Sequence, residues 1–348
     1  MELRQDRRRA AVTLALVVSG ASVMIARTAH ASRQLELQEE RRYGVEHDSL
    51  RHGGAALASI AAIVETTDSI LYVLDAGFKK VVAFAPNGEL RRLILGGHGE
   101  GPGEFMHPIA LDITDDGRIA VFDYRLNRVT LFDGEGSLLN TVLVRRAKTI
   151  LVRGDTIWGT NMPGRDYLVW RHVVGQNGFH NVLATDARDW DYAPRGSVAR
   201  IARAPTGFIL VARHRPGVWM VRRGGGDFDD GRGAELTEET RHRVFEGLPI
   251  PPGDVTGFGV LPSGRILMTY TVREFHRPTA GSDRPYTPVY RMALFSWTGQ
   301  LLGTLELGEE SISAMAVSRT GESVFLARPD PFPQVIRYKV HLAGEQGF

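Results

Sequence analysis

The 348-residue chain contains no cysteine, and that absence excludes several things at once. No disulfide framework braces it, no thiolate serves as nucleophile or metal ligand, and no lipoprotein anchor can be attached. Lysine is scarce as well. Of 42 basic residues only Lys79, Lys80, Lys148 and Lys339 are lysines. Arginine suits bidentate contact with carboxylate or phosphate, although a GC-rich coding sequence produces the same bias. G-x-S-x-G, H-E-x-x-H and H-x-H are also missing, so neither a hydrolase nucleophile elbow nor a compact zinc motif is written in the chain.

The basic residues are unevenly placed. Arg4, Arg7, Arg8 and Arg9 precede an uncharged, mostly apolar run from Ala10 to Ala26, and Ala29-His30-Ala31 follows as a small-x-small site. This is the layout of a secretory signal covering residues 1–31. The alternative is an uncleaved anchor through residues 10–26, just long enough to cross a bilayer. The formal charge of +2 falls to −1 once residues 1–31 are set aside. The basic balance therefore belongs to the export segment and does not argue for nucleic acid as a partner. An exported chain, periplasmic or extracellular, is expected.

What is present is a repeat. DSILYVLDAGFKKVVAFAPNG at 68–88 returns as DGRIAVFDYRLNRVTLFDGEG at 116–136. Asp68, Asp75, Val81, Phe84 and Gly88 recur as Asp116, Asp123, Val129, Phe132 and Gly136. A period of roughly 40–50 residues with several short strands per unit is the mark of propeller blades. Tight-turn pairs recur at Asp68-Ser69, Asp116-Gly117, Gly154-Asp155, Thr206-Gly207, Ser263-Gly264 and Thr320-Gly321, each followed by a β-rich run. Six such units predict an all-β, six-bladed β-propeller of four-stranded antiparallel blades spanning 32–348. The last unit lacks room for a fourth strand. A strand from within residues 35–60 is expected to complete it and so close the ring.

One segment breaks the rhythm. Residues 223–254 begin with a glycine- and aspartate-rich loop. A short helical insert is expected near 235–247, capped by Thr237 and stopped by Pro249, Pro251 and Pro252. A second long connection, 276–288, is expected inside the fifth unit. Long loops on a rigid scaffold are places where binding residues gather.

Between the first two units lies GGHGEGPGEFMHP at 96–108. Its core is Gly99-Glu100-Gly101-Pro102-Gly103-Glu104-Phe105, followed by Pro108. With the Asp-x(4)-Arg/Lys-Val-x-x-Phe-x-x-x-Gly pattern around it, this resembles the bacterial six-bladed β-propeller family related to NHL-repeat proteins. The match is specific over 60–140 and looser towards the C-terminus. The resemblance implies that the motif joins the outer strand of one blade to the inner strand of the next. Its glycines and Pro102 make a sharp turn, and Phe105 is expected to bury between blades. It is not a phosphate loop, since no Lys-Ser/Thr and no helix follow it.

Candidate site residues come from counting along each unit. The second strands should end at Asp75, Asp123, Asn161, Arg213, Tyr270 and Ala327, forming a ring on one face. Asp75 and Asp123 are expected to bond neighbouring backbone, as Asp does in turns. The alternative is a polar rim in which Arg213 with His214, and Arg273 with His276, contact an anion. Related propeller enzymes hold metal with ligands from several inner strands, so the resemblance leaves a divalent metal ion as a candidate cofactor. His107, just before an inner strand, is the best single candidate ligand. The leading expectation is an exported scaffold or sensor binding a small molecule or protein partner on one face. The rival is a metal-dependent lyase or lactonase-like hydrolase with its site in the central channel.

Overall fold

The computed structural model describes residues 33–44, 56–144, 147–160, 167–184, 200–203, 209–212, 218–221, 241–242, 255–275, 286–297 and 299–344. Every regular element among them is a β-strand. Residues 1–31, where an export segment is expected, and the residues Asn161, Arg213, His214 and His276 lie outside this set.

The chain enters on β1 (Arg33–Tyr43). Four-stranded antiparallel sheets follow in chain order. The first contains β2 (Ile60–Glu65), β3 (Leu71–Asp75), β4 (Lys80–Phe84) and β5 (Leu90–Leu95). The second contains β6 (Pro108–Ile113), β7 (Ile119–Asp123), β8 (Arg128–Phe132) and β9 (Leu138–Leu143). The third contains β10 (Ile150–Arg153), β11 (Thr156–Thr160), β12 (Tyr167–Val173) and β13 (His180–Ala184). The fourth contains β14 (Arg200–Arg203), β15 (Ile209–Ala212), β16 (Val218–Val221) and β17 (Arg241–His242).

The remaining strands are β18 (Val255–Val260), β19 (Ile266–Phe275), β20 (Tyr286–Phe295), β21 (Leu301–Gly308), β22 (Ala314–Val317), β23 (Ser323–Arg328) and β24 (Gln334–Leu342). They form one eight-stranded sheet with β1, in the order β18-β19-β20-β21-β1-β24-β23-β22. Where the sequence suggests six separate sheets, the described residues form five, because β1 bridges two groups. It runs antiparallel to β24 from Leu35 opposite Leu342 to Tyr43 opposite Val335. Its first residues, Arg33 and Gln34, also pair in parallel with Gly303 and Thr304 of β21. The expected pairing of the two chain ends is thus present.

The first strands adjoin one another in a closed circuit. β2 packs beside β6, β6 beside β10, β10 beside β14, β14 beside β18, β18 beside β22, and β22 beside β2. Apolar side chains fill the spaces between successive sheets. Phe105 is fully buried. It packs with Tyr72 and Val81 of the first sheet and Leu111 and Phe132 of the second. Burying such a ring contributes about 1.5–3 kcal/mol. Gly96 is required beside it, because a Cβ there would lie 2.0 Å from the Phe105 ring. Gly103 takes the turn at φ +80°, and the Gly101 N–H donates to Glu104 Oε2 at 2.8 Å.

The 48-residue repeat is exact in backbone terms at the turns. Lys79 and Asn127 both adopt positive φ, 55° and 50°. Two differences from expectation concern the long connections. Arg241 and His242, placed by the sequence inside a helical insert, pair as a short strand with Trp219 and Val218; the rest of 235–247 lies outside the described residues. The connection expected at 276–288 is shorter, because β19 and β20 extend their ladder to Phe275 opposite Tyr286.

Candidate functional site: the central cavity

The circuit of first strands encloses a cavity of about 650 Å³. All six contribute to its wall, and so do the residues immediately before and after them. Its middle is apolar, lined by residues such as Ala62, Leu111, Ile201 and Ala316. Eight charged side chains also line it: Lys148, Arg153, Arg200, Arg203 and Arg319 against Glu65, Asp112 and Asp115. The lining therefore carries an excess of positive charge.

At the outgoing ends of the first strands the charges pair with one another, except for the exposed Arg153 at the end of β10, which has no ion-paired carboxylate among the described residues. Arg203, the last residue of β14, donates to Asp112 Oδ2 at 3.1 Å and to Asp115 Oδ1 at 2.7 Å. It also reaches the carbonyl oxygen of Val152 at 2.8 Å. Asp112 is buried, and its Oδ2 further accepts the Val152 N–H at 2.6 Å. Arg319, just after β22, lies 3.7 Å from Asp112 Oδ1 and 3.9 Å from Asp115 Oδ1. Burial lowers the Arg319 pKa, and the nearby Arg203 charge lowers it further; Asp112, Asp115 and Glu65 act in the opposite direction. Glu65, almost fully buried, accepts the Ser318 hydroxyl at 2.6 Å and the Arg319 N–H at 2.8 Å. Its other oxygen lies 3.5 Å from Arg337 Nη1. Arg337 is in turn paired with Glu40 of β1 at 2.9 Å. This polar layer ties β1, the first, second, third and fourth sheets, and the β22–β24 group together.

The incoming ends are different. Lys148 precedes β10, and Arg200 opens β14. A hydrogen bond from the Ile201 N–H to Thr149 Oγ1 at 3.2 Å holds these two strand starts together. Arg200 Nε donates to the Val255 carbonyl at 3.2 Å. Among the described residues no carboxylate is ion-paired with either Arg200 or Lys148. Enclosure within the cavity wall lowers the Arg200 pKa to about 10. Enclosure also lowers Lys148, and the Arg200 charge adds to the effect.

Most residues singled out from the sequence stand elsewhere. Asp75 and Asp123 are fully buried, and neither lines the cavity. Asp75 accepts the N–H groups of Ala58, Ser59, Gly77 and Phe78. Asp123 accepts those of Met106, His107, Arg125 and Leu126, each displaced by 48 positions. Both hold the turns as expected of backbone-bonding carboxylates. Tyr270 is buried in an apolar cluster with Val255, Phe258 and Phe295. Arg273 sits on β19 opposite Pro288. His107 is exposed, edge-on to Tyr124 at 6.2 Å, beside a separate shallow pocket formed with Met106 and Arg125. Among the described residues no three His, Cys, Asp or Glu side chains gather at metal-binding spacing.

The sequence pattern points to the ends of second strands, whereas the cavity is lined by first strands. A signal existed. Asp112 interrupts the apolar run PIALDI, and Arg203 ends the short strand RIAR, where a charge turned towards a core is unexpected unless it meets a partner.

No protein-family model matches the chain, and no curated protein matches it by sequence. Solved structures do match in fold. A member of the DUF4221 family from Bacteroides vulgatus superposes with a TM-score of 0.61 at 10% identity, covering 90% of this chain and all of that one. A protein from Bacteroides fragilis named as a candidate exported protein gives 0.54 at 10% identity, covering 88% of this chain and 95% of that one. The β-propeller domain of Cps50 (Swd1) from Myceliophteria thermophila gives 0.51 at 9% identity, covering 88% of this chain and all of that one. The chain thus has a β-propeller-like, all-β fold. Among the described residues no helix is long and apolar enough to cross a membrane.

Proposed function

We propose that this protein is an exported β-propeller scaffold or sensor that binds a small ligand in its central cavity. The observation that carries the reading is the cavity itself. A space of about 650 Å³ lies within the range of small-molecule sites, and it combines apolar walls with a few charged groups. In this reading the propeller has six four-stranded blades related to NHL repeats, and the eight-stranded sheet is two blades joined where β1 completes the last of them. The closed circuit of first strands supports that count. The signal-like segment at 1–31 supports export, as does the structural likeness to a candidate exported protein.

A thermal-shift screen of residues 32–348 against small organic molecules tests the site, with an Ala316→Trp variant as control. A ligand that stabilises the native chain but not the filled-cavity variant supports the reading. Stabilisation that persists in Ala316→Trp would place the ligand elsewhere and overturn it.

A further inference from the structure

The cavity is chemically asymmetric, and the asymmetry specifies its ligand. At the outgoing end Arg203 and Arg319 face Asp112 and Asp115, so their charge is spent within the protein, and the remaining cation there, Arg153, is exposed to solvent. At the incoming end Arg200 and Lys148 stand together with no ion-paired carboxylate among the described residues. Arg200 Nε is committed to the Val255 carbonyl. That contact orients the guanidinium while leaving its two terminal nitrogens without a hydrogen-bond acceptor among the described residues. Arg200 is half-buried and Lys148 exposed, and a half-buried cation without a counter-ion is costly unless an anion joins it.

Resting on the reading of the cavity as a ligand site, we propose that it takes an organic acid with an apolar body, its carboxylate held by Arg200 and Lys148. A planar carboxylate matches the two donors left on the guanidinium fork. Behind that head the wall is apolar, through Leu111, Ile201 and Ala316, before the neutralised arginine layer is reached. Arg200 and Arg203 are three residues apart on β14, about 10 Å at a strand rise of roughly 3.3 Å per residue. An extended apolar body of about that length fits between them. The lowered pKa values of Arg200 and Lys148 accord with a pair of cations awaiting a counter-ion.

Calorimetric titration of residues 32–348 with octanoate, octanol and octylamine tests the proposal. Octanoate is expected to bind more tightly than the other two. Arg200→Gln should weaken it at least about tenfold, the scale of one charged hydrogen bond. Lys148→Gln removes a more exposed cation and should weaken it in the same direction; it serves where Arg200→Gln fails to fold, as judged by its melting curve. Equal affinity for octanoate and octanol, unchanged in both variants, would overturn the carboxylate site while leaving the cavity reading intact. Binding by none of the three, with the native melting curve preserved, would overturn both.

Discussion

Arg203 Nη1 lies 2.7 Å from Asp115 Oδ1, although 88 residues separate them in the chain. The contact crosses from the fourth sheet to the turn after β6 in the second. Together with Asp112, which also accepts the Val152 N–H of the third sheet, it fastens three consecutive sheets around the cavity. A ring of sheets without disulfides depends on such links and on the apolar seams between sheets.

Asp112→Ala should therefore destabilise the fold strongly. It leaves the Val152 N–H unbonded and strips Arg203 of a buried partner, a change that costs about 3–5 kcal/mol when one member of a buried pair is removed. Denaturant unfolding checks this. A loss below about 1 kcal/mol, the scale of an exposed pair, would show that the layer is not structural.

Asp75→Ala and Asp123→Ala should behave alike, since each carboxylate accepts four N–H groups at matching positions. Each loss is expected to exceed about 3 kcal/mol, because bonds to charged acceptors contribute about 1.5–3 kcal/mol apiece. Neither variant should alter ligand affinity in the cavity. Loss of binding at native stability would return these residues to the site.

Tyr43 closes the seam between the last sheet and the first. Its ring lies 5.8 Å from Phe84 and 6.1 Å from Phe325, and it is almost fully buried. Tyr43→Ala is expected to cost about 3–5 kcal/mol, as large aromatic truncations in cores do. Removing residues 32–60 should go further, exposing the β24 edge and causing aggregation. A truncated chain that stays soluble with an unchanged melting profile would defeat the closure argument.

Burial raises the pKa of the Tyr270 hydroxyl, with the Arg291 charge opposing the rise. The unfolded chain then gives up this proton first. The stability contributed is full below about pH 10, the ordinary phenol value, and is lost as pH rises through the higher folded value. Tyr270→Phe should lessen the fall in melting temperature on the alkaline side. An identical alkaline profile in the two proteins would sink this assignment.

The all-β, repeating character of the chain was legible in the sequence because it is local. Turn carboxylates such as Asp75 and Asp123 bond backbone groups within 17 residues, so each unit records its geometry in its own residues. Phe105 could be placed at a seam for the same reason, since its glycine-rich turn lies beside it. The site was not legible in this way. Glu65, Asp112, Lys148, Arg200 and Arg319 come from different units, and each looks unremarkable on its own strand. Only closure of the circuit sets Arg203 against Asp112 and Asp115 and leaves Arg200 and Lys148 without a carboxylate partner among the described residues. Pairing of charges over long sequence separations is a property of the folded ring. Local propensity and turn chemistry act over a few residues and carry no record of which strands will face one another across a cavity.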